Sequence, residues 1–579
     1  MLQPKLLIKH LFYRISSWNF SHHQQLLSLA RQRTVASAIM ACIAFIAIGI
    51  RLFDVMVLRN TCSGGVCSVQ QCGLRKNIVD RNGVILATQL VTASVYANPK
   101  LILDVEEAAK KLHEVFPNIS YKSLLNKLKS EKSFVWIERH VSPKVQNTVH
   151  CMGIPGVYLQ QDQKRVYPQG ATVSHIIGKC DVDGFGISGI EQHSDAFLRS
   201  DVGELKLALD VRVQHVLRSE LCAAIKKYSA IAANGIIMDV KTGEIIAMVS
   251  LPDYDLNRPL KNAEAAFNRN TLGVYEQGST FKVLNAAIAL ETGVATPGSI
   301  FDASNPIYIG HFKITDFKGK NRPLSLVEAV VYSSNLAAIQ IAKKFGPKVQ
   351  KKFMEKFGIL QSLSLEIPEL GSSLSPKDWR ETSMMTIAYG YGIATTPLHS
   401  LTAIAAIAND GFKPSPTLQY VPTNLRQARI DSFKTQQCVS KKTSQTMRQM
   451  MCLVISEGMP IKANIECYKV FGKTGTAYKS AGKRGYGAEG QRSRTTSFIG
   501  GFPANDPQYV MIVMLDDPKA ISETHGYATA GWNAKPVTCA IIERIAPLLN
   551  VKPDFEENDF SLESMQQFTS FTPSEEDDD

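Results

Sequence analysis

Ser279 and Lys282 stand three residues apart behind the turn residue Gly278, at the head of the apolar stretch from Val283 to Leu290. The spacing predicts a helix with Leu284, Ala287, Ile288 and Glu291 on one side and Gly293 at its end. Ser279 then falls in the first turn, and the Lys282 amine shares its face within reach of the hydroxyl. A serine with a neighbouring amine at the positive end of a helix dipole is an activated nucleophile. Alone, S-x-x-K is a weak signal, equally compatible with a capping serine beside a solvated lysine. A second copy, Ser480 with Lys483, lies in a Gly- and Lys-rich loop with no helix to orient it.

Two further groups supply what an acyl transfer at Ser279 needs. Ser333 and Asn335 form S-x-N at the junction of two helical stretches. The hydroxyl can pass a proton, and the amide can hold a peptide group. Lys473, Thr474, Gly475 and Thr476 follow an apolar strand predicted over 467–472. Lys473 brings fixed positive charge and the threonines bring hydroxyls for a carboxylate. Gly475 lets another backbone approach. Strict alternation puts Lys473 on the face opposite Thr474 and Thr476, which leaves their joint use of one site to be explained. A decoy K-T-G at Lys241 to Gly243 reads as a tight turn. In order, S-x-x-K, S-x-N and K-T-G form the signature of serine acyl-transferases that react with penicillin.

The elements that must position these groups are legible in outline. Residues 78–87 read as two short strands around an Asn-Gly turn, followed by amphipathic helices near 104–115 and 121–130. From about Leu207 the elements become long and apolar: a helix from Val211 to Lys227, then strands at 235–240 and 244–249. Helices are expected around 279–291, 325–344, 347–357 and 397–409, with Thr396 as cap and Pro397 first in the last of these. Strands return at 495–502 and 509–515, and a helix closes at 533–548. Strands at both ends with helices between predict an α+β domain whose sheet pairs the two ends of the segment.

Among its 579 residues, 45% are hydrophobic and 20% charged, an ordinary globular composition with room for several domains. The net charge of +12 understates the basicity of the body, because residues 551–579 are strongly acidic and read as a disordered tail. A basic body suits anionic partners such as lipid headgroups, cell-wall polymer or nucleic acid. Residues 34–50 carry no charge, and basic residues without acidic ones precede them. That pattern predicts an uncleaved membrane anchor with a cytoplasmic N-terminus. The eleven cysteines are scattered and odd in number, so they outline no disulfide framework, and Cys62, Cys67 and Cys72 lack partners for a metal site. The G-x-G-x-x-G at 184–189 follows no clear strand and opens no apolar helix, so no dinucleotide site is expected. P-loops and H-E-x-x-H are absent.

Beyond the three motifs, the chain carries DRNG at 80–83, RVYPQG at 165–170, GISGIE at 186–191 and YGYGIATTP at 389–397. With these it resembles the class B penicillin-binding proteins, most closely the division-specific FtsI type, from the anchor to about residue 550. Lys76 departs from the Gly that usually follows Arg75 in that family. The resemblance implies a cytoplasmic tail at 1–33, a transmembrane anchor at 34–58, a pedestal of dimerisation-domain type at 59–205 and an α+β transpeptidase domain at 206–550. It places the chain in the bacterial inner membrane with the catalytic domain in the periplasm. It further implies cross-linking of peptidoglycan stem peptides at the septum. Ser279 would attack a D-Ala-D-Ala carbonyl while Lys282 takes its proton. Backbone amides of Ser279 and Thr476 would form the oxyanion hole. Ser333, assisted by Lys473, would protonate the departing D-Ala. Asn335, Thr474, Gly475 and Thr476 would bind the substrate, and β-lactams would trap the acyl-enzyme. No metal or organic cofactor is required. The implied partners are the membrane, a septal glycan polymerase of FtsW type and other division proteins, with no nucleic acid. An elongation-specific transpeptidase, an anchored β-lactamase or penicillin sensor, and a scaffolding division protein are the alternatives.

Overall fold

The computed structural model describes residues 35–50, 75–200, 203–310, 312–458, 468–479, 492–554 and 561–567. Residues 35–50 are helical with every side chain exposed, and among the described residues no helix is long and apolar enough to cross a membrane. Residue 34 and residues 51–58 of the expected anchor lie outside the described residues. So do the tail at 1–33, Cys62, Cys67 and Cys72, the Ser480 to Lys483 copy and most of the acidic end.

The pedestal is a sheet backed by helices. Strand Ile85–Ala97 lies between Val157–Val166 and Val135–Val141, antiparallel to both, with Tyr96 opposite Tyr158 and Trp136. Its inward residues Ala93, Val95 and Ala97 pack with Ile137 against helices Val105–Val115, Tyr121–Leu128 and Pro143–Met152. The expected Asn-Gly turn is present. Its Asp80 carboxylate accepts from the Asn82 and Val84 amides at 2.8 Å each, and from Val211 N at 3.1 Å. Three of the sequence segments singled out above meet in one buried cluster. Glu191, fully buried, accepts from Arg75 Nε and Arg165 Nε, both at 2.6 Å. A carboxylate with two bidentate-capable guanidiniums is one of the few ways to keep such charges out of water.

Beyond residue 206 the core is a five-stranded antiparallel sheet in the order Phe471–Tyr478, Arg494–Phe502, Tyr509–Asp516, Ala232–Asp239, Ile245–Leu251. The strands at the two ends of the segment pair, as expected, with Ile512 opposite Ile236. Alternation along Tyr509–Asp516 fills two layers. Met511, Val513 and Leu515 face helices Val211–Tyr228 and Ala534–Ile545, while Val510, Ile512 and Met514 face the larger core. That core holds helices Phe281–Glu291, Asn335–Lys356, Pro397–Ala408 and Lys441–Ser456.

Three sequence readings need correction. The strand read at 467–472 runs instead over Phe471–Tyr478, so K-T-G lies within it, not after it. The helices expected over 325–344 and 347–357 are bounded differently: the break falls at the S-x-N junction, between Leu326–Val331 and Asn335–Lys356, and Gly346 only kinks the second. Helix Lys441–Ser456, capped by Ser440, is absent from the sequence reading although Thr443, Met447, Met450, Met451 and Val454 give it a buried face at helical spacing.

Candidate active site

The serine turn is wedged between two backbones. Gly278 has φ +56°, and its amide donates to Gly390 O at 3.0 Å. A Cβ on Gly278 would sit 2.8 Å from Thr476 O, and one on Gly390 would run into Gly278 O. One on Gly475 would sit 2.6 Å from Gln277 O and 2.9 Å from Thr280 Cγ2. Each of these glycines is required by a close approach that any side chain would block. Ser279 is half-buried in a single 3₁₀ turn, Gly278–Thr280, and the helix proper begins at Phe281. The serine therefore precedes the helix it was expected to start. Ten of the eleven residues of that helix are buried, which fixes the turn to the core.

Lys282 is only 3% exposed. Its amine donates to Ser333 O at 2.5 Å and to Ser333 Oγ at 3.2 Å, and among the described residues it makes no hydrogen bond to Ser279. Burial holds this amine well below the usual lysine range. The charge of Lys473 pushes it further down, and Asp316 opposes both. Lys473 is 2% exposed, and burial lowers its amine to about 7. Two buried amines, both held below the usual lysine range, are suited to proton transfer.

Ser333 has φ +59°, in the left-handed region that a non-glycine residue adopts at a cost of about 1–2 kcal/mol. Asn335 opens the next helix, and its Nδ2 donates to Thr315 O at 2.8 Å. On the strand, burial alternates as predicted: Lys473 and Gly475 face the core and the serine turn, while Thr474 and Thr476 are half-buried on the other face. The Thr476 hydroxyl accepts from Ala530 N at 3.1 Å. This strand is the edge of the sheet, where an extended peptide could add. Residues from all three motifs therefore adjoin one another. Lys282 bonds Ser333 and is repelled by Lys473, and the turn holding Ser279 packs on Gly475 and Thr476. Asp316 was not singled out from sequence, since a lone Asp in a lysine-rich segment carries no pattern. The decoy at Lys241 to Gly243 is a turn whose Lys241 and Thr242 amides both donate to Asp239. Among the described residues no His, Cys, Asp and Glu cluster could hold a metal.

The model of the penicillin-binding protein transpeptidase domain matches residues 234–543, and that of the penicillin-binding protein dimerisation domain matches residues 71–220. The chain belongs to the penicillin-binding protein transpeptidase family. A probable peptidoglycan D,D-transpeptidase FtsI of Caulobacter vibrioides is 32% identical over 83% of this chain and 82% of its own length. Stage V sporulation protein D of Bacillus subtilis is 27% identical over 83% of this chain and 79% of its own. A peptidoglycan synthetase from Bifidobacterium adolescentis shares the fold, with a TM-score of 0.63 at 21% identity over 84% of this chain and 97% of that one. This penicillin-binding protein thus couples a dimerisation-type pedestal to a mixed α/β transpeptidase domain.

Proposed function

We propose that this penicillin-binding protein is a septal peptidoglycan D,D-transpeptidase working through an acyl-enzyme on Ser279. The observation that carries the reading is the pair of depressed amines, Lys282 and Lys473, buried beside Ser333 and the serine turn. Neutral Lys282 takes the Ser279 proton as the hydroxyl attacks the penultimate D-Ala carbonyl of a donor stem peptide. Backbone amides of Ser279 and Thr476 stabilise the oxyanion, at about 3 kcal/mol per donor. The Ser333 hydroxyl, in contact with Lys282 and assisted by Lys473, returns a proton to the departing D-Ala amine. Asn335 holds the donor peptide, while Thr474, Gly475 and Thr476 receive its terminal carboxylate. The amine of a second stem peptide resolves the ester and restores Ser279. A β-lactam opened by the same serine leaves no amine to depart and stays bound.

The membrane role belongs to the same reading. Residues 35–50 form a helix with its apolar side chains outward, which suits a lipid environment and a single pass with the N-terminus inside. Domain limits of 34–58 for the anchor, 59–205 for the pedestal and 206–550 for the catalytic domain follow, with a glycan polymerase of FtsW type and other division proteins as partners. The test is D-alanine release by the purified ectodomain from a stem pentapeptide with an acceptor amine present. Cross-linked dimer and a penicilloyl-enzyme lasting minutes to hours are expected. Rapid β-lactam turnover without dimer would make it a β-lactamase. Depletion in the source cell should give filaments; rounding would point to elongation, and a defect confined to spores to the role named in the Bacillus subtilis relative.

A further inference from the structure

Ser333 is held in a strained conformation, and the groups that hold it are visible. The segment before it in the fold, residues 315–320, crosses the start of helix Asn335–Lys356. There Asp316 collects three donors from consecutive residues: Oδ2 accepts from Ser334 Oγ at 2.6 Å, and Oδ1 accepts from Asn335 N at 2.5 Å and Leu336 N at 3.1 Å. Thr315 O takes the Asn335 side-chain amide at 2.8 Å. The other charges of the segment point elsewhere, Lys318 onto the Tyr527 ring at 4.6 Å and Lys320 onto the Tyr332 ring at 4.4 Å. Ser333 itself accepts hydrogen bonds from the Lys282 amine at its carbonyl and hydroxyl.

We propose that Asp316 is a positioning residue of the acyl transfer, clamping residues 334–336 so that Ser333 stays left-handed over the Lys282 amine, and supplying a counter-charge to Lys282. This rests on the acyl-transfer reading above. Without the clamp the turn is free to relax toward an ordinary right-handed conformation, and such relaxation would carry both Ser333 O and Oγ away from Lys282. The charge acts separately from the geometry. The groups facing Lys282 are Lys473 from the edge strand, Ser333 from the helix junction and Asp316 from the loop, and Asp316 is the acidic one. Its loss leaves the Lys473 charge acting on Lys282 unopposed, which makes protonation of Lys282 harder.

The experiment separates the two effects in the purified ectodomain, with acylation by a fluorescent penicillin followed from pH 5 to 9. Asp316→Asn keeps an acceptor for the Asn335 and Leu336 amides but removes the charge. It is expected to retain most of the rate at neutral pH and to move the acid limb of the profile to lower pH. Asp316→Ala removes both effects and is expected to slow acylation by about 10- to 100-fold while the circular dichroism and melting curve stay folded. Wild-type rates in Asp316→Ala, or an acid limb that does not move in Asp316→Asn, overturn the proposal. If Asp316→Ala does not fold, Asp316→Asn alone decides it. Ser279→Ala run alongside keeps the parent reading distinct: label surviving in that variant sinks the acyl-transfer site, whatever Asp316 does.

Discussion

Lys282 and Ser333, which belong to different motifs 51 residues apart, form one hydrogen-bonded unit, with the Lys282 amine donating to both the carbonyl and the hydroxyl of Ser333. In the proposed mechanism this bond connects the amine that would deprotonate the nucleophile to the hydroxyl that would protonate the leaving group. Lys282→Arg tests whether a neutral amine is needed, since a guanidinium keeps the charge and does not deprotonate. Acylation is expected to fall about a thousandfold in Lys282→Arg and as far in Lys282→Met. Stopped-flow rates with a chromogenic β-lactam measure it. Substantial activity in Lys282→Arg would remove Lys282 as the base.

Lys473 makes the folded state pH-dependent, and the sign can be worked out. Its amine titrates near 7 in the fold but near 10.4 in an unfolded chain, so between those values the unfolded state holds more protons. Stability therefore rises with pH across that window, and the full penalty is present below about pH 7. Lys473→Met should raise the melting temperature at pH 6, by an amount on the order of 2–4 kcal/mol of stability, and the advantage should shrink as pH approaches 10. Acylation should be largely lost at the same time. A less stable Lys473→Met at pH 6 would show that the amine is better satisfied than its burial implies.

The serine turn tolerates no added atom where it meets the edge strand. Gly475→Ala would place a methyl 2.6 Å from Gln277 O and 2.7 Å from Ser497 Oγ. A loss of about 1–3 kcal/mol in stability and about 100-fold in acylation rate is expected, because the turn must back away from the strand. Gly203→Ala, which meets nothing within 4 Å, serves as the control and should be silent in both assays. Equal behaviour of the two variants would dissociate the turn from the strand.

Glu191 anchors the pedestal. Replacing it with Ala leaves Arg165 without its carboxylate and Arg75 with Asp195 alone in a buried site, at a cost of about 3–5 kcal/mol. Differential scanning calorimetry should show the ectodomain melting earlier, with trypsin cutting first within residues 75–200. Unchanged melting would mean that water reaches the cluster.

Much of this was legible in the residues themselves. The S-x-x-K, S-x-N and K-T-G groups stand in local sequences that dictate a helix, a helix break and a strand, and the alternation of Lys473 against Thr474 and Thr476 holds in the fold. The strand lies at the edge of the sheet: its inner face meets the serine turn at Gly475, while Thr474 and Thr476 stay half-buried on its outer face. No spacing rule could supply the partner of Lys282, because the i to i+3 geometry favoured Ser279 and the tertiary fold supplied Ser333 instead. Asp316 was invisible for the same reason: its meaning lies in donors 18 to 20 residues away, brought in by a loop with no periodicity.

The most direct test of the shared pocket is where a β-lactam becomes attached. Peptide mapping by mass spectrometry after treating the ectodomain with benzylpenicillin should place a single adduct on Ser279, absent from Ser279→Ala and strongly slowed in Lys282→Met. An adduct on Ser480 or any other residue, or one that persists in Ser279→Ala, would contradict it.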